Sequence, residues 1–85
     1  MMTNKILRLP SVLDLRGKSR SAHYDDIQKG LMTPPVNLGG RSVGWPENEV
    51  VAINAALIAG KSESEIKDLV KKLIAERKSL CEVAA

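Results

Sequence analysis

The stretch Arg16–Gly30, RGKSRSAHYDDIQKG, predicts a turn followed by a short helix. Gly17 tolerates a positive φ, so it is suited to end a preceding helix. Ser19 is a favourable N-cap, because its side-chain oxygen accepts a hydrogen bond from a free amide in the first turn. Gly30 supplies the stop at the other end. The sequence therefore predicts a helix from Ser19 to Lys29.

This predicted helix has an inner and an outer face. The inner face is marked by residues at helical spacing, His23, Tyr24 and Ile27. The outer face carries polar or charged side chains, those of Arg20, Ser21, Asp25 and Gln28. A short helix with a polar, basic N-terminal end is suited to insertion into the DNA major groove.

A second short helix is predicted immediately before the turn. Pro10 suits its first turn, where the missing N–H costs nothing, and the segment Ser11–Arg16 follows. The apolar members of this helix are Val12, Leu13 and Leu15, and its solvent-facing members are Asp14 and Arg16. Two short helices joined by so tight a turn predict a helix-turn-helix. The preceding apolar run, residues 6–9, is either an edge strand or an entry segment.

A β-hairpin with a basic tip is predicted after the two helices. Apolar residues alternate with others over residues 36–38 and 43–45, and Gly39-Gly40 lies between them. Tight hairpin turns require positive φ, which glycine adopts readily. Arg41 then lies at or beside the tip. A helix pair followed by such a hairpin describes a winged helix-turn-helix.

Two amphipathic helices are predicted in the second half of the chain. Pro46 opens the third helix at its first helical position, and Gly60 ends it. Ser62 and Glu65 match a capping box that opens the fourth, which runs to about Cys81. The apolar stripe of the fourth helix is interrupted by Arg77 and consists of Ile66, Leu69, Val70, Leu73, Ile74, Leu80 and Cys81. This stripe either folds back on the third helix or meets a second copy of itself.

Length and charge narrow the functional classes. At 85 residues the chain is expected to form a single domain, with a winged helix-turn-helix over 6–60 and a C-terminal amphipathic helix over 62–82. Residues 1–45 carry seven Lys and Arg against three acids, a net +4, whereas residues 46–85 carry six against seven, a net −1. This asymmetry favours a polyanionic partner for the N-terminal half.

The cysteine content and the absence of targeting signals indicate a cytoplasmic protein. A single cysteine makes no internal disulfide, and with a single histidine it makes no zinc site. The sequence shows no secretory signal and no apolar run long enough to span a bilayer. Neither a cofactor nor a metal is predicted.

Several segments together resemble the AlpA family of small phage-derived regulators, which are related to excisionases and to MerR-type winged helices. The similarity covers about residues 6–57 and is carried by Ile6–Pro10, Ser19–Ser21, Tyr24, Pro35–Trp45 and Glu49-Val50. The resemblance implies a cytoplasmic DNA-binding protein that activates an integrase gene or acts as an excision factor beside a recombinase. The sequence departs from the family pattern at His23, Asp25 and Met32–Pro34.

The expected fold is mostly α with a small β-hairpin: a winged helix-turn-helix plus a C-terminal helix. The expected DNA contacts are Arg16, Lys18, Ser19, Arg20, Ser21, Tyr24, Gln28, Arg41 and Ser42. Arg20 is expected to contact guanine or the backbone, and Arg41 to contact the backbone or the minor groove. Tyr24 either donates to a phosphate or packs between helix and hairpin. His23 and Trp45 are expected to be packed in the core.

Two functions of different classes are compatible with the predicted fold and charge distribution. The first is sequence-specific binding of double-stranded DNA in transcription control or phage excision. The alternative is a protein-interaction adaptor or inhibitor that holds a recombinase, or a second copy of the chain, through residues 62–82. An enzyme is disfavoured, because the chain has one histidine, no Cys–His pairing and no phosphate-cradling loop with its lysine.

Overall fold

Four helices and three short strands make up the part of the chain that the structure describes. The structure is a computed structural model that describes the backbone of residues 5–84 and the side chains of residues 5–79. The elements in chain order are β1 (Ile6–Leu7), α1 (Leu9–Arg16), α2 (Arg20–Lys29), β2 (Val36–Gly39), β3 (Ser42–Pro46), α3 (Glu47–Ile58) and α4 (Glu63–Ala84). This architecture confirms the predicted winged helix-turn-helix with a C-terminal helix.

Local chemistry explains the helix-turn-helix. Gly17 ends α1 in the left-handed conformation, with φ 65°, and its N–H donates to the carbonyl of Leu13 at 2.9 Å. The Oγ of Ser19 accepts a hydrogen bond from the amide of Ala22 at 3.2 Å, which is the predicted N-cap. α1 begins at Leu9, so that Pro10 lies within the first turn as expected.

The hairpin forms a three-stranded antiparallel sheet with the N-terminal segment, in the order β1-β3-β2. Leu7 pairs with Trp45 and Val36 pairs with Gly44, so the segment over residues 6–9 contributes an edge strand. Both glycines of the predicted turn have positive φ, 111° at Gly39 and 56° at Gly40. The hairpin prediction is confirmed, with a local irregularity of register between Asn37 and Gly39.

Trp45 is at the centre of the core. It is fully buried, and its indole N–H donates to the carbonyl of Thr33 at 2.9 Å, as a buried tryptophan requires. The ring of His23 packs edge-on against it with centroids 4.8 Å apart. The inward placement predicted for both residues is confirmed. The other buried apolar side chains are Leu7, Val12, Met32, Val50, Ile53, Ile66, Val70 and Leu73.

α4 folds back on α3, which decides between the two arrangements left open by the sequence. Its buried side chains, Ile66, Val70 and Leu73, belong to the same core as Val50 and Ile53 of α3. The predicted capping box is present: the amide of Glu65 donates to Ser62 Oγ at 3.2 Å, and the amide of Ser62 donates to Glu65 Oε1 at 3.1 Å. The predicted stripe members Leu80 and Cys81 lie outside the described side chains.

The prediction that Pro46 is the first helical residue is wrong by one position. Pro46 is still extended, with ψ 131°, and it forms the N-cap of α3 while also closing strand β3. Pairing with Ile6 holds this residue in the strand conformation. Two acidic residues, Glu47 and Glu49, then occupy the first turn of the helix.

Arg77 of α4 forms an ion pair with the buried Glu49 of α3 and is therefore more than an interruption of the apolar stripe. Its Nε donates to Glu49 Oε2 at 2.8 Å and its Nη2 to Glu49 Oε1 at 2.7 Å, which makes the pair bidentate. Nη2 also donates to the carbonyl of Pro34 at 2.8 Å. This guanidinium therefore ties α4 to α3 and to the segment that leads into the hairpin.

Candidate nucleic-acid interface

The exposed N-terminal end of α2 carries three of the predicted contact residues. Arg20 and Ser21 are the first two residues of α2 and both are exposed, while Ser19 caps the helix. The first amides of a helix and its dipole attract anions, so a phosphate is favoured at this end. The Arg20 guanidinium lies 6.0 Å from the ring centroid of Tyr24, which restricts the directions in which it extends.

Tyr24 and Gln28 follow Arg20 along α2 but differ in exposure. Tyr24 is half-buried and packs on the core, with its ring edge-on to His23 at 5.3 Å and to Trp45 at 6.4 Å. The structure therefore shows the packing role that the sequence left open for Tyr24. Gln28 is exposed.

The hairpin tip carries two further predicted residues, Arg41 and Ser42. Arg41 is exposed and follows the two glycines of the turn, while Ser42 is half-buried at the start of β3. Asn37 Oδ1 accepts a hydrogen bond from the amide of Gly39 at 2.8 Å, which stabilises the entry to the turn. The hairpin thus presents a single arginine to solvent at its end.

Arg16 is misplaced by the sequence prediction, because its side chain is in the interior. Only 2% of the side chain is exposed, and Nη2 pairs with Asp26 Oδ2 at 2.9 Å. Its Nη1 lies 2.9 Å from Nδ1 of His23. A carboxylate on the inner face of α2 requires a cation, and the end of α1 supplies it. The prediction that Arg16 faces solvent is therefore wrong.

Lys18 belongs partly to the same buried group. Its ammonium pairs with Asp26, and its side chain is one-third exposed. Asp26 thus accepts from both Arg16 and Lys18. We call Arg16, Lys18, His23 and Asp26 the inner charge cluster. It joins α1, the turn and α2, and so fixes the geometry of the helix-turn-helix.

Within the inner charge cluster, the pKa values of His23 and Asp26 are both lowered. Burial, assisted by the positive charge of Arg16, lowers the pKa of His23 to about 4, so the ring is neutral at pH 7. Since arginine only donates, Nδ1 accepts and the ring proton is assigned to Nε2. Burial raises the pKa of Asp26, but hydrogen bonds from Lys18 and Arg16 outweigh it, and the pKa lies below its ordinary value.

Acidification should destabilise the protein through His23. The unfolded chain binds a proton at the ordinary pKa of 6.5, whereas the folded chain does so only near 4. The unfolded state therefore holds more protons between these values, and stability should be constant above about pH 6.5 and fall toward pH 4, by about 3 kcal/mol in all. The measurement is the urea midpoint as a function of pH.

His23→Gln is the matched control for this pH dependence, since it retains an acceptor for Arg16 but has no proton to gain. Its stability should vary much less than that of the wild type between pH 6.5 and pH 4, where the exposed Glu65, whose pKa is lowered from 4.5 by hydrogen bonds from Ser62, begins to titrate. Asp26 contributes only below its ordinary pKa of 3.8, because its folded pKa is lowered further. Equal slopes for the two proteins across this window would contradict the role given to His23.

Asp25, the acid that departs from the family pattern, pairs with Lys29. The two side chains lie one turn apart on α2, both more than half exposed, with Oδ2 and Nζ 2.9 Å apart. The pairing raises the pKa of Lys29. The negative charge of Asp25 is therefore partly offset by a cation of the same helix.

Sequence reasoning missed the inner charge cluster, although a signal for it was present. His23 and Asp26 are three residues apart and fall on the same inward stripe as Ile27. An aspartate on an inward stripe demands a nearby cation. Arg16 at the end of α1 and Lys18 in the turn are two cations that a tight helix-turn-helix brings back toward α2. Arg20 and Arg41, unlike Arg16, are exposed.

Comparisons with known proteins cover more than half of the chain. A family model described as "Prophage CP4-57 regulatory protein (AlpA)" matches residues 5–52. The chain is also similar to "Uncharacterized protein ORF88" of Enterobacteria phage P4, at 47% identity over 57 residues. That alignment covers 67% of this chain and 65% of the phage protein, so it spans a little under two-thirds of the relative. No solved structure matches.

The family match ends within α3, so α4 lies beyond it. Within residues 5–84, no helix combines the length and the apolar character needed to cross a membrane.

Proposed function

The chain belongs to the AlpA family of prophage regulatory proteins, and we propose that it binds double-stranded DNA in a sequence-specific manner. In this proposal α2 enters the major groove and the hairpin follows the adjacent backbone. The observation that carries it is the exposed Arg20 at the Ser19-capped end of a helix that the inner charge cluster holds rigidly against α1. The biological role is control of an integrase gene or assistance to a recombinase in excision.

The proposed contacts are those predicted residues that solvent reaches. Arg20 reads a base edge or grips a phosphate, and Arg41 contacts the backbone or the minor groove. The supporting contacts are Lys18, Ser19, Ser21, Tyr24, Gln28 and Ser42. Arg16 is omitted, because its guanidinium is committed to Asp26 and His23.

Arg20→Ala and Arg41→Ala should each weaken binding to duplex DNA by about tenfold while leaving the fold intact. The probes are tiled duplexes of about three helical turns that cover the DNA upstream of the protein's own gene. Lys72→Ala is the control, since Lys72 is an exposed cation on α4. The measurements are a mobility-shift titration and a thermal melt of each variant.

Salt should weaken the wild-type complex steeply. With about four to six phosphate contacts, log affinity should fall with log salt at a slope of about −4 to −5. An affinity indifferent to salt, or variants of Arg20 and Arg41 that bind as tightly as Lys72→Ala, would overturn the proposal.

The adaptor alternative requires apolar surface on α4, and much of that surface is not accessible. That reading requires the apolar stripe of α4 to be available to a partner, yet Ile66, Val70 and Leu73 are buried against the chain's own core. Burial of three such side chains stabilises the fold by several kcal/mol, so releasing the helix to a partner would be costly. The observations therefore favour DNA over a protein partner.

A further inference from the structure

A basic groove lies between the C-terminal end of α2 and the first half of α4. Its polar lining comes from Gln28 and Lys29 of α2 and from Lys67 and Lys71 of α4, and its apolar lining comes from Val70 and Ile74. A β-carbon placed on Gly30 would lie 3.9 Å from Cγ of Lys67, so the two helices approach closely at this point. Among the residues whose side chains the structure describes, the lining contains three lysines and no acid. We call this feature the α2–α4 groove.

The three lysines of the groove differ in whether they form an ion pair. Lys29 pairs with Asp25, whereas Lys67 and Lys71 form no ion pair with any residue whose side chain the structure describes. They are exposed and stand four residues apart, so both project from one face of α4. Like charges at this spacing repel each other slightly, and an anion bound between them would remove that repulsion. The groove is therefore electrostatically complementary to phosphate.

The groove continues the proposed DNA-reading face of α2. Arg20, Tyr24 and Gln28 are spaced by four residues, and Gln28 itself lines the groove. The ten residues of α2 span about 15 Å, less than half of a helical turn of B-DNA. Cations at both ends of α2 would therefore fall within the length of one DNA site.

We propose that Lys67 and Lys71 contact backbone phosphates that flank the bases read by α2. This inference rests on the proposed function and extends the DNA-binding surface to α4, which lies beyond the family match at residues 5–52. Phosphate contacts of this kind add affinity and fix register without reading sequence. α4 would then serve the winged unit both by packing on its core and by enlarging its DNA footprint.

The test compares two charge-matched double variants of the full chain. K67Q/K71Q removes the two groove lysines, and K61Q/K72Q removes two exposed lysines that do not line the groove. The probe is the upstream duplex that wild-type protein shifts most strongly. K67Q/K71Q should bind about tenfold more weakly, and its salt slope should be shallower by about 2, one for each lost phosphate contact. K61Q/K72Q should change both quantities much less.

Amine acetylation of the wild-type protein gives a second measurement that needs no variant. Bound duplex should protect Lys67 and Lys71 from the reagent and leave Lys61 and Lys72 reactive. If wild-type protein fails to bind any duplex, the proposed function fails and this inference fails with it. If wild-type protein binds but the two double variants behave alike, or the groove lysines stay reactive, the inference alone is overturned.

Discussion

Replacing Asp26 by alanine is expected to lower the free energy of unfolding by about 3–5 kcal/mol. The reason is that Asp26 is the only carboxylate described in contact with Arg16, whose side chain is 2% exposed, and its removal would leave a buried guanidinium unpaired. Lys18 would lose its partner as well. A small domain is stable by about 5–15 kcal/mol, so the variant should be partly unfolded at moderate temperature.

Urea unfolding followed by circular dichroism measures this effect, and the chain offers a close control. Asp25→Ala removes the neighbouring carboxylate, which is more than half exposed and pairs with Lys29 on the surface. It should change stability by less than about 1 kcal/mol. The double variant Arg16→Met/Asp26→Leu replaces the buried pair by apolar side chains and should recover most of the loss. If Asp26→Ala were no less stable than Asp25→Ala, the inner charge cluster would not hold the helix-turn-helix together.

The local signals in the sequence were sufficient to place the helices and the hairpin. Ser19 caps α2 through a bond to an amide three residues away, and Gly17 and Gly30 end helices through their own φ. The turn at Gly39-Gly40 likewise needs only the backbone freedom of its own residues. Each of these interactions lies within a few residues along the chain, so a sequence pattern predicts it.

The charged residues of the interior could not be placed in the same way. The sequence pattern predicts that Arg16 faces solvent and that Arg77 interrupts an apolar stripe, because an isolated cation is costly to bury. Each pairs with a carboxylate from another element, Asp26 ten residues away and Glu49 twenty-eight residues away, and this leaves 2% of the Arg16 side chain and 22% of the Arg77 side chain exposed. Such pairing depends on how elements pack, which local spacing does not specify. Opposite charges on the inward faces of two different helices are the sequence signal that indicates such a pairing.

The difference between local interactions and interactions that depend on packing also explains which parts of the candidate interface the sequence predicts. Ser19, Arg20 and Ser21 were predicted at the exposed start of α2 because a capping motif fixes where the helix begins. The environment of Tyr24 depends on the position of Trp45 across the core, so the sequence left two roles open. The contribution of α4 to the surface depends on its packing beside Gly30, and only the three-dimensional structure brings Lys67 close to Gln28.

Replacing Arg77 by alanine is expected to cost about 3–5 kcal/mol, close to the cost of losing Asp26. The variant would leave the Glu49 carboxylate, whose side chain is 2% exposed, without the two hydrogen bonds of 2.7 and 2.8 Å that now satisfy it. Glu49→Ala should cost less, because the Arg77 side chain is 22% exposed and its guanidinium can turn toward water. A larger loss of stability in Arg77→Ala than in Glu49→Ala is expected of an ion pair in which only one side chain is deeply buried. Equal losses, or losses below about 1 kcal/mol as on a surface, would contradict it.

The same substitution should also weaken DNA binding by more than its effect on folding explains. Arg77 donates to the carbonyl of Pro34, two residues before β2, and so holds the base of the hairpin against α4. Releasing that carbonyl would loosen the hairpin relative to α2, and Arg41 would no longer be presented at a fixed distance from Arg20. The measurement is duplex affinity without urea, at a temperature where the variant remains folded. Lys78→Ala is the control, because it removes a neighbouring exposed cation. Unchanged affinity in folded Arg77→Ala would mean that the hairpin is positioned without this contact.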